Sequence, residues 1–163
     1  MQRPFLVGEK IYLRVLEESD ISEEYVGWLN DPEVTRYLEV GRFPSSPASV
    51  RKYLERFQQS TTDFIFAIID RQSNLHIGTV TLNHINWARR TVNTGIMIGR
   101  KEFWGMGYGF EAWSLVIEYA FQRLGLRKIT AGAAVDNKAS VATLKKLGFK
   151  MEGTLRQEVL LDG

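Results

Sequence analysis

The stretch that most constrains the fold lies at residues 95–149. It runs Gly95-Ile-Met-Ile-Gly99, then Trp104-Gly-Met-Gly-Tyr-Gly-Phe-Glu-Ala112 and a helical run. An apolar run over 129–135 follows, then Asp136-Asn137-Lys-Ala-Ser140 and Leu147-Gly148-Phe149. The order is strand, glycine-rich loop, amphipathic helix, strand, polar helix start. That order predicts one right-handed βαβ crossover with its loop at a helix N-terminus. Successive backbone N–H groups and the helix dipole make such a loop an anion site, suited to a phosphate-bearing cofactor.

The rest of the chain reads as a meander leading into that unit. Ile11, Leu13 and Val15 alternate with Tyr12 and Arg14 over 10–15, which predicts a first strand. Ser19-Asp20 is read as the cap of a helix through Leu29, stopped by Asn30-Asp31-Pro32. Val50, Tyr53, Leu54 and Phe57 fall at helical spacing in a second helix over 48–59. Residues 64–69, 77–85 and 91–98 read as strands. A helix over 108–124, a strand over 128–135, a helix over 137–147 and a strand over 149–161 complete the prediction. The fold class is α+β in one domain, residues 1–163.

Bulk properties exclude several functions. The 163 residues suffice for one core. Net charge is only +2, with no basic tract, so nucleic acid is not expected as a partner. There is no cysteine, and His76 and His84 stand alone in a strand-like region, so no metal site is expected. No apolar run approaches the ~20 residues of a membrane span, and the first residues lack the core of a signal peptide. The expected location is cytoplasmic, with no membrane partner.

Three readings of the loop compete. Gly107-Tyr-Gly109-Phe-Glu-Ala112 fits the relaxed dinucleotide fingerprint, and Asp136 ends the next strand where a ribose-binding acid would sit. A doubly wound fold, however, opens with its fingerprint and repeats the βαβ unit, whereas here the unit is single and late. The second reading is a structural turn whose glycines admit close packing. The third rests on the whole segment. The chain resembles the GCN5-related N-acetyltransferase superfamily, in its RimJ/RimL-like branch. The residues that carry the resemblance are Trp104-Gly-Met-Gly107-Tyr-Gly109 with Glu111-Ala112, Asn137-Lys-Ala-Ser140, Lys146-Leu-Gly148-Phe149, Glu152-Gly153-Thr-Leu-Arg156 and Trp28-Leu-Asn-Asp-Pro-Glu-Val34.

The resemblance implies a mixed, mostly antiparallel central sheet flanked by helices. It implies acetyl-CoA as co-substrate, with its pyrophosphate held by Trp104, Gly105, Met106, Gly107, Tyr108, Gly109 and Phe110. Relatives carry Arg or Gln where Trp104 stands and often Thr where Phe110 stands, so binding here should rest on backbone N–H groups. The acid tyrosine of many relatives is replaced by Leu144, and the base glutamate, by register, by Asn93. Backbone N–H groups at Met97 and Ile98, freed by a bulge, are the expected oxyanion donors. Ser140 is expected to hydrogen-bond the leaving sulfur and Asn137 to hold the pantetheine arm or a water. Asn137 or Asp136 also reads simply as a helix cap. Glu158 on the last strand is the remaining candidate base, and equally a surface residue.

The acceptor implied is a primary amine: a protein N-terminus, a nucleotide-linked amino sugar or another small amine. Its site is expected from residues 19–60, with Trp28, Arg36, Tyr37 and Arg42 lining it; the acids Glu17, Glu18, Asp20, Glu23 and Glu24 leave a polyamine open. The rival of another class is a non-catalytic acyl-CoA-binding module. Relatives continue into a further strand beyond Leu161-Asp162-Gly163, a hairpin signal. The final strand is therefore expected to be missing or supplied by a second copy, in a homodimer through the last strand.

Overall fold

A computed structural model describes residues 3–161. Six strands form one sheet in chain order: β1 (Leu6–Val7), β2 (Ile11–Val15), β3 (Phe64–Asp70), β4 (His76–Asn86), β5 (Thr91–Ile98) and β6 (Lys128–Thr130). Strands β1 to β5 are antiparallel neighbours; β5 and β6 are parallel. Four helices flank them: α1 (Glu23–Asn30), α2 (Pro47–Gln58), α3 (Tyr108–Gln122) and α4 (Lys138–Lys146). β5, α3 and β6 form the crossover. One parallel pair is all that occurs among the described residues, so the doubly wound alternative is excluded. None of the helices is long and apolar enough to cross a membrane.

Period-two alternation splits the core in two. Phe66 and Ile68 of β3 join Ile11, Leu13, Val80 and Leu82 against Ala112, Trp113, Val116 and Ala120 of α3 and Leu144 of α4. Ile65, Ala67 and Ile69 point the other way, against Tyr25, Trp28 and Leu29 of α1 and Val50, Leu54 and Phe57 of α2. Because β3 is covered on both faces, its sequence is a continuous apolar run rather than an alternation.

Local chemistry sets the helix starts. Ser46 accepts a hydrogen bond from Ser49 N, and Pro47 takes the first helical position, where a missing N–H costs nothing. For α1 the cap is Ser22, which accepts from Tyr25 N at 3.1 Å, and not Ser19-Asp20. Asp20 is drawn away by a stronger partner. Its carboxylate takes a two-pronged ion pair from Arg14, at 2.6 and 2.7 Å, on side chains 8 % and 13 % exposed. Burial raises its pKa, but the bonds from Arg14 and the Glu17 N–H outweigh that and hold the carboxyl below its ordinary value.

The C-terminal expectations need correction. β6 is three residues long, not eight, and 131–134 run without a ladder. Residues 149–161 form no strand. They are exposed apart from Phe149 and Leu161, turn at Arg156-Gln157 with Gln157 in the left-handed region, and are tied back by the Lys128–Glu152 ion pair at 2.7 Å. A strand exists only as part of a ladder, and this segment pairs with no strand of the sheet, although β6 is the sheet's end strand. The Asp162-Gly163 turn signal lies outside the described residues.

Candidate active site

The glycine loop leads from β5 into α3. Gly105 and Gly107 have φ of +73° and +86°, the left-handed region where a side chain is strained. Gly107 caps α3 with no side-chain hydrogen bond, and the first helical bond runs from Glu111 N to Gly107 O. The N–H groups of Tyr108, Gly109 and Phe110 therefore have no acceptor within the helix. Loop and dipole converge there on an electropositive, backbone-lined surface that fits a pyrophosphate.

Side chains fix this loop instead of lining it. The Trp104 indole donates to Ile98 O at 2.8 Å. The Tyr108 hydroxyl donates to Asp70 Oδ1 at 3.1 Å, and its ring meets Phe103 edge-on. Glu111 accepts from Lys10 N at 2.9 Å, pinning the helix start to the β1–β2 turn. Positive charge arrives from far in sequence. Lys10 Nζ donates to Met106 O at 2.9 Å, and Lys146 Nζ lies 4.5 Å from the centre of the Phe110 ring. These two lysines flank the loop. Lys10 stands 96 residues before Met106, and no local motif marks it.

β5 and β6 are paired only at Thr91–Asn93 and then part. Asn93 holds the fork closed at its base, its amide donating to Thr130 O at 3.2 Å and to Thr130 Oγ1 at 3.3 Å. Past Asn93 the edge of β5 facing the fork has no partner strand. Gly99 N donates to Ile77 O, so alternation turns the N–H groups of Met97 and Gly95 toward β4 and those of Ile96 and Ile98 into the fork. The free pair is thus Ile96 and Ile98, not Met97 and Ile98. No bulge frees them; the register shift in the β4–β5 pairing lies between Asn83 and Asn86. The divergence of the strands does the work the bulge was expected to do.

α4 begins across the fork. Asn137 caps it, Oδ1 accepting from Ser140 N at 3.1 Å. The Ser140 hydroxyl is half-buried and has no protein partner. Leu144 is buried against α3. Glu158 is exposed on the strandless segment.

On the opposite face of the sheet lies a cavity of about 470 Å³. Its floor is Ile65, Thr79, Thr81, Gly95 and Met97; its walls are α1, α2 and the loop at 38–45. Gly95 and Ile96 bring it to the free half of β5. None of Trp28, Arg36, Tyr37 and Arg42 lines it. Trp28 is 7 % exposed and packs edge-on to Tyr25 and His76, filling the space a Cβ at Gly99 would need. Arg36 folds over the Tyr37 ring, 5.5 Å from its centre, and Arg42 is exposed. The Tyr37 hydroxyl donates to Asp136 O at 3.2 Å, joining this loop to the start of α4. Long cationic side chains remain in water here; Leu38 beside them is half-buried against α1, α2 and the sheet, while Val40 and Phe43 edge the cavity with much of their surface exposed.

Among the described residues no group of three or more His, Asp or Glu side chains is placed to hold a metal. His76 sits under Trp28 and Tyr25. Burial lowers its pKa to about 4, so it is neutral at pH 7.

The family model "Acetyltransferase (GNAT) domain" matches residues 10–150. The chain is 31% identical over 156 residues to an uncharacterized N-acetyltransferase, p20, of Bacillus licheniformis, covering 93% of this chain and 85% of that one. The spermidine N-acetyltransferase from Vibrio cholerae, solved in complex with CoA and spermine, superposes with a TM-score of 0.87 at 26% identity, covering 96% of this chain and 90% of that one. The ribosomal L7/L12 alpha-N-protein acetyltransferase RimL, in complex with coenzyme A, shares the fold with a TM-score of 0.88 at 21% identity, covering 99% and 92%. A glycine loop at a helix start, a fork in the sheet and a whole-length match together place this chain in the GNAT acetyltransferase family.

Proposed function

We propose that this acetyltransferase moves the acetyl group of acetyl-CoA to a primary amine that reaches the fork from the cavity. One observation carries the reading: the free edge of β5 lies between the glycine loop on one face and the cavity on the other. The coenzyme supplies an activated thioester. The loop N–H groups at 108–110, with Lys10 and Lys146 beside them, hold its pyrophosphate. The Ile96 and Ile98 N–H groups face the fork, preorganised to stabilise negative charge developing on an acyl oxygen. Ser140 offers its unpartnered hydroxyl to the departing sulfur; a thiol with a pKa of ~8.5 leaves readily, so one hydrogen bond suffices. Asn137, whose Oδ1 caps α4, retains its amide hydrogens for the coenzyme arm. Glu158 has no part in this reading as the structure stands.

Release of free CoA from acetyl-CoA in the presence of an amine panel, followed with a thiol reagent, tests it. Amine-dependent release is expected. Tight acetyl-CoA binding by calorimetry with no release from any amine would instead favour a non-catalytic acyl-CoA-binding module.

A further inference from the structure

We infer that the cavity takes a monoamine carried on a bulky apolar body, such as an arylalkylamine, in preference to a polyamine or a peptide N-terminus. The inference rests on the acetyl-transfer reading above and concerns only which amine it serves.

The lining decides the class. Leu29, Leu38, Val50, Ile65 and Met97 give the cavity apolar walls, and Tyr25, Tyr53 and Phe43 add aromatic ones. Its volume falls in the ~300–1,000 Å³ range of small-molecule sites. Glu39 is the one charged residue among the lining. The acidic residues near the chain start do not reach it. Asp20 is engaged by Arg14, Glu18 by Arg51 and Glu24 by Arg100, and neither Glu17 nor Glu23 lines the cavity. One carboxylate balances one ammonium. A second or third ammonium held against the apolar walls would lie without a counter-charge, which is unfavourable. A peptide N-terminus fares no better, because each following amide brings an N–H and a C=O that need partners. Part of the lining's hydroxyl set is already engaged. Thr81 Oγ1 already donates to Gly95 O and accepts from Asn83, and the Tyr25 phenol is tied to Thr79.

The same lining bears on the missing base. Apolar walls disfavour the ammonium over the free amine. Once the amine passes Glu39 and enters, desolvation itself favours the nucleophilic form, and its proton leaves to water at the mouth.

The test compares kcat/KM for 2-phenylethylamine, spermidine and an octapeptide beginning with serine, at saturating acetyl-CoA. 2-Phenylethylamine is expected to lead each of the others by at least about tenfold. Val40→Glu places a second carboxylate on the exposed loop wall. It should lower 2-phenylethylamine turnover and raise that of spermidine, so that the ratio moves about tenfold toward spermidine while acetyl-CoA affinity is unchanged. Spermidine or the peptide leading in the wild type, or a ratio that Val40→Glu leaves in place, would overturn the substrate class and leave acetyl transfer standing. No CoA release with any of the three would overturn the substrate class, and no release with the wider amine panel, while acetyl-CoA still binds, would overturn both.

Discussion

The two faces of the sheet are built on different plans. The α3–α4 face works with backbone: glycines at positive φ, a helix start without a side-chain cap, and strand N–H groups turned into a fork. Its parts lie close together in sequence, within 95–140. The α1–α2 face works with side chains: apolar walls drawn from two helices, a loop and three strands, closed over a buried ionic and aromatic cluster. A site made of backbone accepts almost any side chains around it, provided the glycines stay. A site made of side chains can change its ligand without changing the fold. On the proposed reading the coenzyme belongs to the first face and the choice of amine to the second.

That contrast can be broken most forcefully at the Arg14–Asp20 pair. Asp20→Ala leaves a guanidinium buried without its partner, and we expect a loss of about 3 kcal/mol in urea unfolding. Acetyl-CoA affinity per folded molecule should not change; a large change would mean that the two faces are not separable. Next in size is Gly107→Val, expected to weaken acetyl-CoA binding about 100-fold, ~2.7 kcal/mol. Gly125→Val supplies the control. Its φ of +65° makes the strain comparable, but it lies beyond α3. Equal effects of the two on coenzyme affinity in calorimetry would reduce the loop to a structural turn.

A pH dependence sharpens the comparison from the other side. His76 is held neutral by burial, with its pKa lowered to about 4. In the unfolded chain it takes a proton below ~6.5, so the unfolded state gains protons first and stability falls as pH drops from 7 toward 4. At pH 5 the loss from this residue is about 2 kcal/mol. Asp20, held low by Arg14, adds to the slope only near and below pH ~4, where the unfolded carboxyl takes up its proton first. Denaturant unfolding at pH 7 and pH 5 should therefore show a smaller difference in His76→Gln than in the wild type. The smallest effect belongs to Ser140→Ala: about tenfold in kcat, with the acetyl-CoA Kd nearly unchanged. An equal loss in Kd would make Ser140 a binding residue and no more.

Much of the first face is legible in the sequence, because its chemistry is local. Three alternating glycines before an amphipathic run specify the loop, and Asn137 three residues before Ser140 specifies a cap. The second face is not legible in the same way. Trp28, Arg36, Tyr37 and Arg42 are the conspicuous side chains there, yet the cavity is lined by their plainer neighbours, because which way a loop residue points is set by partners far along the chain. Lys10 escapes notice for the same reason: it meets Met106 only once the sheet is assembled. Ser22 displaces Ser19-Asp20 as the helix cap because Arg14, unseen in a local window, claims Asp20. The last strand illustrates the remaining gap. Residues 152–161 have strand composition, but a strand needs a neighbour as much as it needs a sequence.

The Trp104 indole has a consequence for self-association. The half of β5 that leaves β6 is an unpaired sheet edge, and such an edge recruits strands from other chains as readily as it receives a ligand. By occupying the Ile98 carbonyl, Trp104 removes an acceptor that an invading strand would need to continue its ladder. The N–H groups at Ile96 and Ile98 stay available. The edge keeps its donors and loses one acceptor, which suits a ligand that brings a carbonyl oxygen. Trp104 thereby reduces what this edge can offer an incoming strand while its donors stay turned into the fork.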